Sequence, residues 1–261
     1  MKLPIYQIDA FTNELFKGNP AAVCPLEEWI PVDLMQKIAA ENNLPETAFF
    51  VKAGDEYELK WFTPVEEMDL CGHATLAAAY VISNYTDETS NTLRFQTASG
   101  PLEVSKDGSL YTLLFPSRRG IRCEAPEELI KGLGKQPMEV YKARDYMAIF
   151  ETEQDILDLD LNMDMLKKLD GFGIIATAKG KKADFVSRFF APKAGIEEDP
   201  VTGSAHCTLV PYWKSVLNKN DMVALQLSAR GGKLHCTDLG DMVKMSGEAV
   251  TYLEGQINVE L

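Results

Sequence analysis

Hydrophobic and polar positions repeat along this chain at two periods, and the switches between them predict its elements. Residues 3–11 alternate, with Tyr6 and Ile8 on one face, and read as a first strand. Gly18-Asn19-Pro20 is a turn, followed by a short return strand, Ala21-Ala22-Val23-Cys24. Asp33 can cap a helix that carries Leu34, Met35, Ile38 and Ala39 at helical spacing. Asn42-Asn43 supplies a stop, because Asn tolerates the left-handed conformation. Leu44 is extended by Pro45, which leaves Glu46 between a helix end and the strand Thr47 to Lys52. Tyr57, Leu59 and Trp61 alternate in the next strand. Ala74 to Ile82 is apolar on nearly every side, which predicts a central helix wrapped by sheet. Strands follow at 92–97, 101–105 and 109–115, the last two joined by Asp107-Gly108, a strong hairpin signal.

Pro116-Ser117-Arg118-Arg119-Gly120 reads as a linker, after which the pattern resumes. Pro126 opens a short helix ending near Gly132 or Gly134. Strands are predicted near 138–143, 146–150, 173–178 and 184–190, with a helix around Met163–Leu169 that uses its methionines for packing. Glu198-Asp199-Pro200-Val201-Thr202-Gly203-Ser204 is a polar loop with Ser204 as a good N-cap. It feeds an apolar helical run, Ala205 to Leu217, where Pro211 predicts a kink or a false start. Strands near 223–228, 233–237, 242–246 and 248–254 close the chain.

The halves run in the same order. Phe62-Thr63-Pro64, acids, then Gly72-His73-Ala74-Thr75-Leu76 parallels Phe190-Ala191-Pro192, acids, then Gly203-Ser204-Ala205. Downstream, Phe95 to Leu102 parallels Leu225 to Leu234. A two-copy repeat of this length predicts two similar lobes. The first is expected over 1–117, joined by the C-terminal strand at about 248–261, and the second over 118–247. A pseudo-twofold between them would place the active site in the cleft where both helix N-termini face.

Composition narrows the picture. Of 261 residues, 46% are apolar, enough for a sizeable core. A net charge of −13 disfavours nucleic-acid and anionic-membrane partners. No apolar run reaches the ~18–20 residues of a membrane span, and the first residues lack a signal-peptide core, so a cytoplasmic location is expected. The five Cys, with no CxxC spacing, read as reduced thiols.

The chemistry-bearing residues cluster at the two helix starts. A helix N-terminus presents unpaired N–H groups and a partial positive charge, suited to an anion or an oxygen gaining charge. Asp199 beside Pro200 also builds a turn, and His73 can simply bond its neighbours. Cys71 and His73 lack a third orienting group for a hydrolase, and the pairs His206-Cys207 and His235-Cys236 lack metal-ligand spacing.

Asn42 to Phe49, Cys71-Gly72-His73-Ala74-Thr75 and Glu198 to His206, together with Asp9-Ala10-Phe11-Thr12 and Gly18 to Val23, resemble the phenazine-biosynthesis PhzF-like family over essentially the whole chain. The resemblance implies the diaminopimelate-epimerase-like α+β fold, two similar pseudo-twofold-related lobes, each a curved, mostly antiparallel sheet around a central helix. It implies a cofactor-independent isomerase that moves a proton on a small cyclic carboxylate, without cofactor or metal. Glu46 would be the general base, with His73 and Asp199 as further catalytic groups and Gly72, Gly203 and Ser204 binding substrate. Proton abstraction from carbon needs such a base held close, and the developing anion needs donors fixed in advance. A small-molecule carboxylate substrate and a homodimer are expected. Pro45 departs from the small hydroxyl residue that many relatives carry beside the base, so the substrate is expected to differ from the phenazine precursor.

Two rivals remain at this stage. Related epimerases use one thiol from each lobe. Cys71 fills the first position, but Asp199-Pro200-Val201-Thr202-Gly203 holds no Cys and Cys207 lies about a helical turn further on, so only a one-cysteine racemase survives. The other rival is a non-catalytic small-ligand-binding protein on the same fold.

Overall fold

The computed structural model describes residues 1–260. In chain order the elements are β1 (Lys2–Ala10), β2 (Asn19–Leu26), α1 (Val32–Asn42), β3 (Glu46–Ala53), β4 (Glu56–Phe62), β5 (Glu67–Met68), α2 (Gly72–Tyr85), β6 (Thr92–Thr97), β7 (Gly100–Asp107) and β8 (Leu110–Pro116). Then come β9 (Ile121–Cys123), α3 (Glu127–Leu133), β10 (Glu139–Lys142), β11 (Tyr146–Ile149), α4 (Glu153–Leu157), α5 (Met163–Leu166), β12 (Ile174–Lys179) and β13 (Phe185–Phe190). The last are α6 (Gly203–Leu217), β14 (Asp221–Gln226), β15 (Gly232–Asp238), β16 (Met242–Gly247) and β17 (Ala249–Asn258). The chain divides into a unit of Met1–Leu114 with Ser246–Leu261 and a unit of Phe115–Met245.

In the first unit β1 is antiparallel to β2, β2 parallel to β3, β3 antiparallel to β4, β4 parallel to β6, and β6 antiparallel to β7. The second unit has the same succession: β10 antiparallel to β11, β11 parallel to β12, β12 antiparallel to β13, β13 parallel to β14, and β14 antiparallel to β15. Each parallel step needs a crossover, and a helix supplies it. In the first unit α1 and α2 cross over; in the second, α4 with α5 and then α6. The sequence repeat is thus a repeat of strand pairing, mixed α+β with antiparallel pairs in the majority. β17 returns to pair antiparallel with β1 in the first unit.

Each unit buries its long helix. In α2, nine residues from His73 to Ile82 are buried; four are alanines, so the sheet can approach the helix closely. Leu76, Val81 and Ile82 are fully covered, worth about 1.5–3 kcal/mol each. In the first unit Phe49, Phe62, Met35 and Ile38 share one apolar cluster, and in the second Leu129, Ile156, Phe190 and Leu166 share another.

Three sequence expectations are corrected. Helix α1 begins at Val32 with Pro31 in the capping position, so Asp33 lies in its first turn and is not the cap. Ser204 is not an N-cap either: α6 starts at Gly203 and Thr202 stands before it. Pro211 gives no false start, since α6 runs through it to Leu217. Proline removes the donor for the carbonyl four residues back. That carbonyl, on Cys207, instead accepts the Arg118 backbone N–H at 2.9 Å. The acidic stretch before 163 also holds a helix the sequence reading left out, α4, started by a capping box between Thr152 and Asp155.

Candidate active site

The predicted residues form two groups, one in each unit. In the first unit, α1 ends at Asn42, and its C-cap Asn43 is left-handed at φ 49° with its N–H returned to the Ala39 carbonyl. The chain passes Pro45 and enters β3 at Glu46, paired in register with Ala21 of β2. Glu46 is 8% exposed and His73, the second residue of α2, is 6% exposed. Oε2 of Glu46 lies 3.0 Å from Nε2 of His73. The approach is within ion-pair distance but off the line of a hydrogen bond, so each buried atom keeps capacity for a third partner.

On the other side of the ring, Nδ1 of His73 lies 3.3 Å from Nδ2 of Asn19 and 3.5 Å from Sγ of Cys71. Cys71 is the N-cap residue of α2 and makes no side-chain cap hydrogen bond. Burial pushes the Cys71 thiol up in pKa, and the Glu46 charge adds to this, so the sulfur stays protonated. For His73, burial works against its charge, while the Glu46 carboxylate 3.0 Å away favours it. The sulfur, imidazole and carboxylate ligand atoms lie within 4.8 Å of one another, a donor set of the kind zinc takes. A zinc ion would first have to strip the proton that burial keeps on the thiol.

In the second unit, Asp199, Gly203 and Ser204 lie along one loop and helix start. Thr202 donates its hydroxyl to Asp199 rather than capping α6, so the N-terminus of this helix also has no side-chain cap. Gln226 braces the loop: its Oε1 accepts the Thr202 N–H at 2.9 Å and its Nε2 donates to the Asp199 carbonyl at 2.7 Å. Glu198 is held by Arg188 through two hydrogen bonds of 2.7 and 2.9 Å, which makes it structural. Around Gly203, an added β-carbon would meet no atom within 4 Å, so the space beside its backbone is open. Arg144 donates to Oγ of Ser204 at 3.0 Å and to the fully buried Asp145 at 3.0 Å.

Asn19, Arg144 and Gln226 escaped the sequence reading. In the sequence Asn19 reads as part of a turn, and Arg144 and Gln226 reach their partners over 60 and 24 residues of chain. No local pattern marks such contacts.

The phenazine biosynthesis-like protein model matches residues 8–255. The chain belongs to this family. An uncharacterized isomerase of Pseudomonas aeruginosa is 46% identical over 259 residues, covering 99% of this chain and all of the relative. The crystal structure of a PhzF-family phenazine biosynthesis protein from Enterococcus faecalis is 46% identical, with a TM-score of 0.97 over 99% of this chain and all of that one. A Pseudomonas aeruginosa structure described as a predicted epimerase superposes with a TM-score of 0.76 over 99% of this chain and all of that one. At 17% identity it shares the fold alone. The expected mixed α+β class, with two units of like strand pairing, is the fold found, and the chain is an isomerase of the phenazine biosynthesis-like family. No helix among the described residues is long and apolar enough to cross a membrane.

Proposed function

We propose that the protein moves a proton on a small, cyclic carboxylate without a cofactor, with Glu46 as the general base. The observation that carries this reading is the buried Glu46–His73 pair, 3.0 Å apart at an uncapped helix N-terminus, with neither facing atom in a directed hydrogen bond. A carboxylate in such a place can take a proton from carbon. The N–H groups beginning at Gly72 can hold the charge that develops on the substrate. Gly203 and Ser204 are assigned to the substrate carboxylate, and His73 or Asp199 to the return of the proton. These assignments rest on the repeat and on the family motifs, supported by the open space at Gly203 and the uncapped start of α6.

The test is deuterium uptake in heavy water by a panel of small cyclic and amino carboxylates. Wild type should label an accepted substrate, and Glu46→Gln should lose the labelling by about 10²-fold or more. Equal labelling by both proteins defeats the base assignment, and no labelling of any carboxylate by wild type favours the ligand-binding rival.

One observation keeps a second reading in view: Cys71 Sγ is 3.5 Å from His73 Nδ1, an arrangement a one-cysteine racemase would use. The raised thiol pKa argues against it. Cys71→Ser separates the two, since loss of turnover selects the racemase and near-normal turnover selects the carboxylate.

A further inference from the structure

His73 has two ring nitrogens in different surroundings, and its partners agree on where the proton of the neutral ring sits. Nε2 faces Glu46, an acceptor when ionised, at 3.0 Å. Nδ1 faces the amide Nδ2 of Asn19 at 3.3 Å, a donor with no lone pair to offer, and the Cys71 sulfur at 3.5 Å, which burial keeps as S–H. A proton on Nε2 lies on the carboxylate side of the ring, off the hydrogen-bond line, and leaves Nδ1 to accept. A proton on Nδ1 would face an N–H group and turn the Nε2 lone pair towards a carboxylate. We propose that Asn19 is a positioning residue that fixes neutral His73 as the Nε2–H tautomer, with its one N–H on the Glu46 side of the ring.

The second unit supplies a contrast. His206 stands in the first turn of α6, and its Nδ1 lies 2.8 Å from the Thr202 carbonyl oxygen. A carbonyl only accepts, so His206 carries its proton on Nδ1. The two helix-start histidines therefore hold opposite tautomers, set by the different groups their chains present to Nδ1. Asn19 is suited to its part: it is fully buried, and it opens β2, where Asn19 pairs in register with Ala10 of β1.

The consequence rests on the proposed role of Glu46. With Nε2 already protonated, neutral His73 cannot take up a proton at the nitrogen that faces Glu46. This narrows the part played by His73, which then serves the base rather than the returning proton.

The tautomers can be read by nitrogen NMR on protein labelled at histidine, since the chain has only three. In wild type, titrated until His73 is neutral, its Nε2 should show the directly bonded proton and its Nδ1 the unprotonated signature, with His206 reversed. Asn19→Asp places an acceptor opposite Nδ1 and should switch neutral His73 to the Nδ1–H form. Asn19→Ser is too short to reach the ring and should give a mixture of the two forms. An Nδ1–H tautomer in wild type overturns the proposal, whether or not any variant folds. An unchanged Nε2–H signature in a folded Asn19→Asp or Asn19→Ser protein removes Asn19 from the role. The spectrum is read without substrate. An active isomerase with the other tautomer sinks only this inference, and a chain that labels no carboxylate sinks only the functional reading.

Discussion

Arg144 donates from Nη2 to the hydroxyl oxygen of Ser204 at 3.0 Å, across 60 residues of sequence. The Arg144 N–H fills one acceptor site of the hydroxyl and leaves its proton free to donate, which suits the part proposed for Ser204 in binding a substrate carboxylate. The guanidinium is fixed from two further sides, by the Asp145 carboxylate and by the Phe172 ring 4.5 Å away. Arg144→Met should raise KM for an accepted carboxylate by about 10-fold or more, the worth of a hydrogen bond to a charged group, with a smaller change in kcat. It should also destabilise the fold by about 2–3 kcal/mol through the stranded Asp145. That is less than the ~3–5 kcal/mol of a fully buried pair, because the Arg144 side chain is 34% exposed. Arg144→Met with Asp145→Asn should regain stability in urea unfolding and keep the raised KM. Recovery of both together would reduce Arg144 to a structural ion pair.

Gly203 offers a test that separates fold from function. An added β-carbon there meets nothing within 4 Å, and α6 begins at this residue. Gly203→Ala should leave the melting temperature unchanged or slightly raised, because alanine suits a helix start and narrows the unfolded ensemble. If a substrate must approach that backbone, the same methyl group should lower kcat/KM by about 10-fold or more, an overpacking cost of roughly 1–3 kcal/mol. Unchanged kinetics would remove Gly203 from the binding surface.

Gly18 is the opposite case. Its φ is +65°, and an added β-carbon would lie 2.2 Å from the Ala10 carbonyl oxygen, a backbone atom that cannot step aside. Gly18→Ala should destabilise the protein by about 2 kcal/mol or more, read from the urea midpoint. Because Asn19 follows directly, the surviving folded fraction should also show a disturbed His73 signal. A variant as stable as wild type would mean the turn relaxes freely.

Local pattern carried the sequence reading a long way. The all-round apolar faces of Ala74 to Ile82 and of the run after Gly203 announced two buried central helices, and the paired motifs announced the repeat, whose strand pairings match step for step. The motifs also singled out Glu46 and His73, which the fold brings to 3.0 Å. What stayed hidden was partnership over distance. Pro211 marks no false start, and the carbonyl it orphans is served by Arg118, 89 positions away from Cys207 in the chain. The capping of α6 was misread because Thr202 spends its hydroxyl on Asp199, a choice that loop geometry makes and residue type does not.

His206 makes the stability of the fold depend on pH in a defined window. It is fully buried, and burial depresses its pKa from 6.5 to about 4, partly opposed by the Thr202 carbonyl. In the unfolded chain it titrates near the ordinary value, so between roughly pH 6.5 and 4 the unfolded state binds more protons than the native state. Stability therefore rises with pH across that window. This contribution is intact above about pH 6.5 and is lost as pH falls towards 4, by roughly 3 kcal/mol in all. Urea unfolding from pH 7 down to pH 4, compared between wild type and His206→Gln, isolates the effect. The variant starts less stable at pH 7, because it alters a packed site beside the Phe185 ring. Its curve should then fall less steeply with acid than the wild-type curve, and the two should converge towards pH 4. Parallel curves would show that His206 charges in the native state as readily as in the unfolded one.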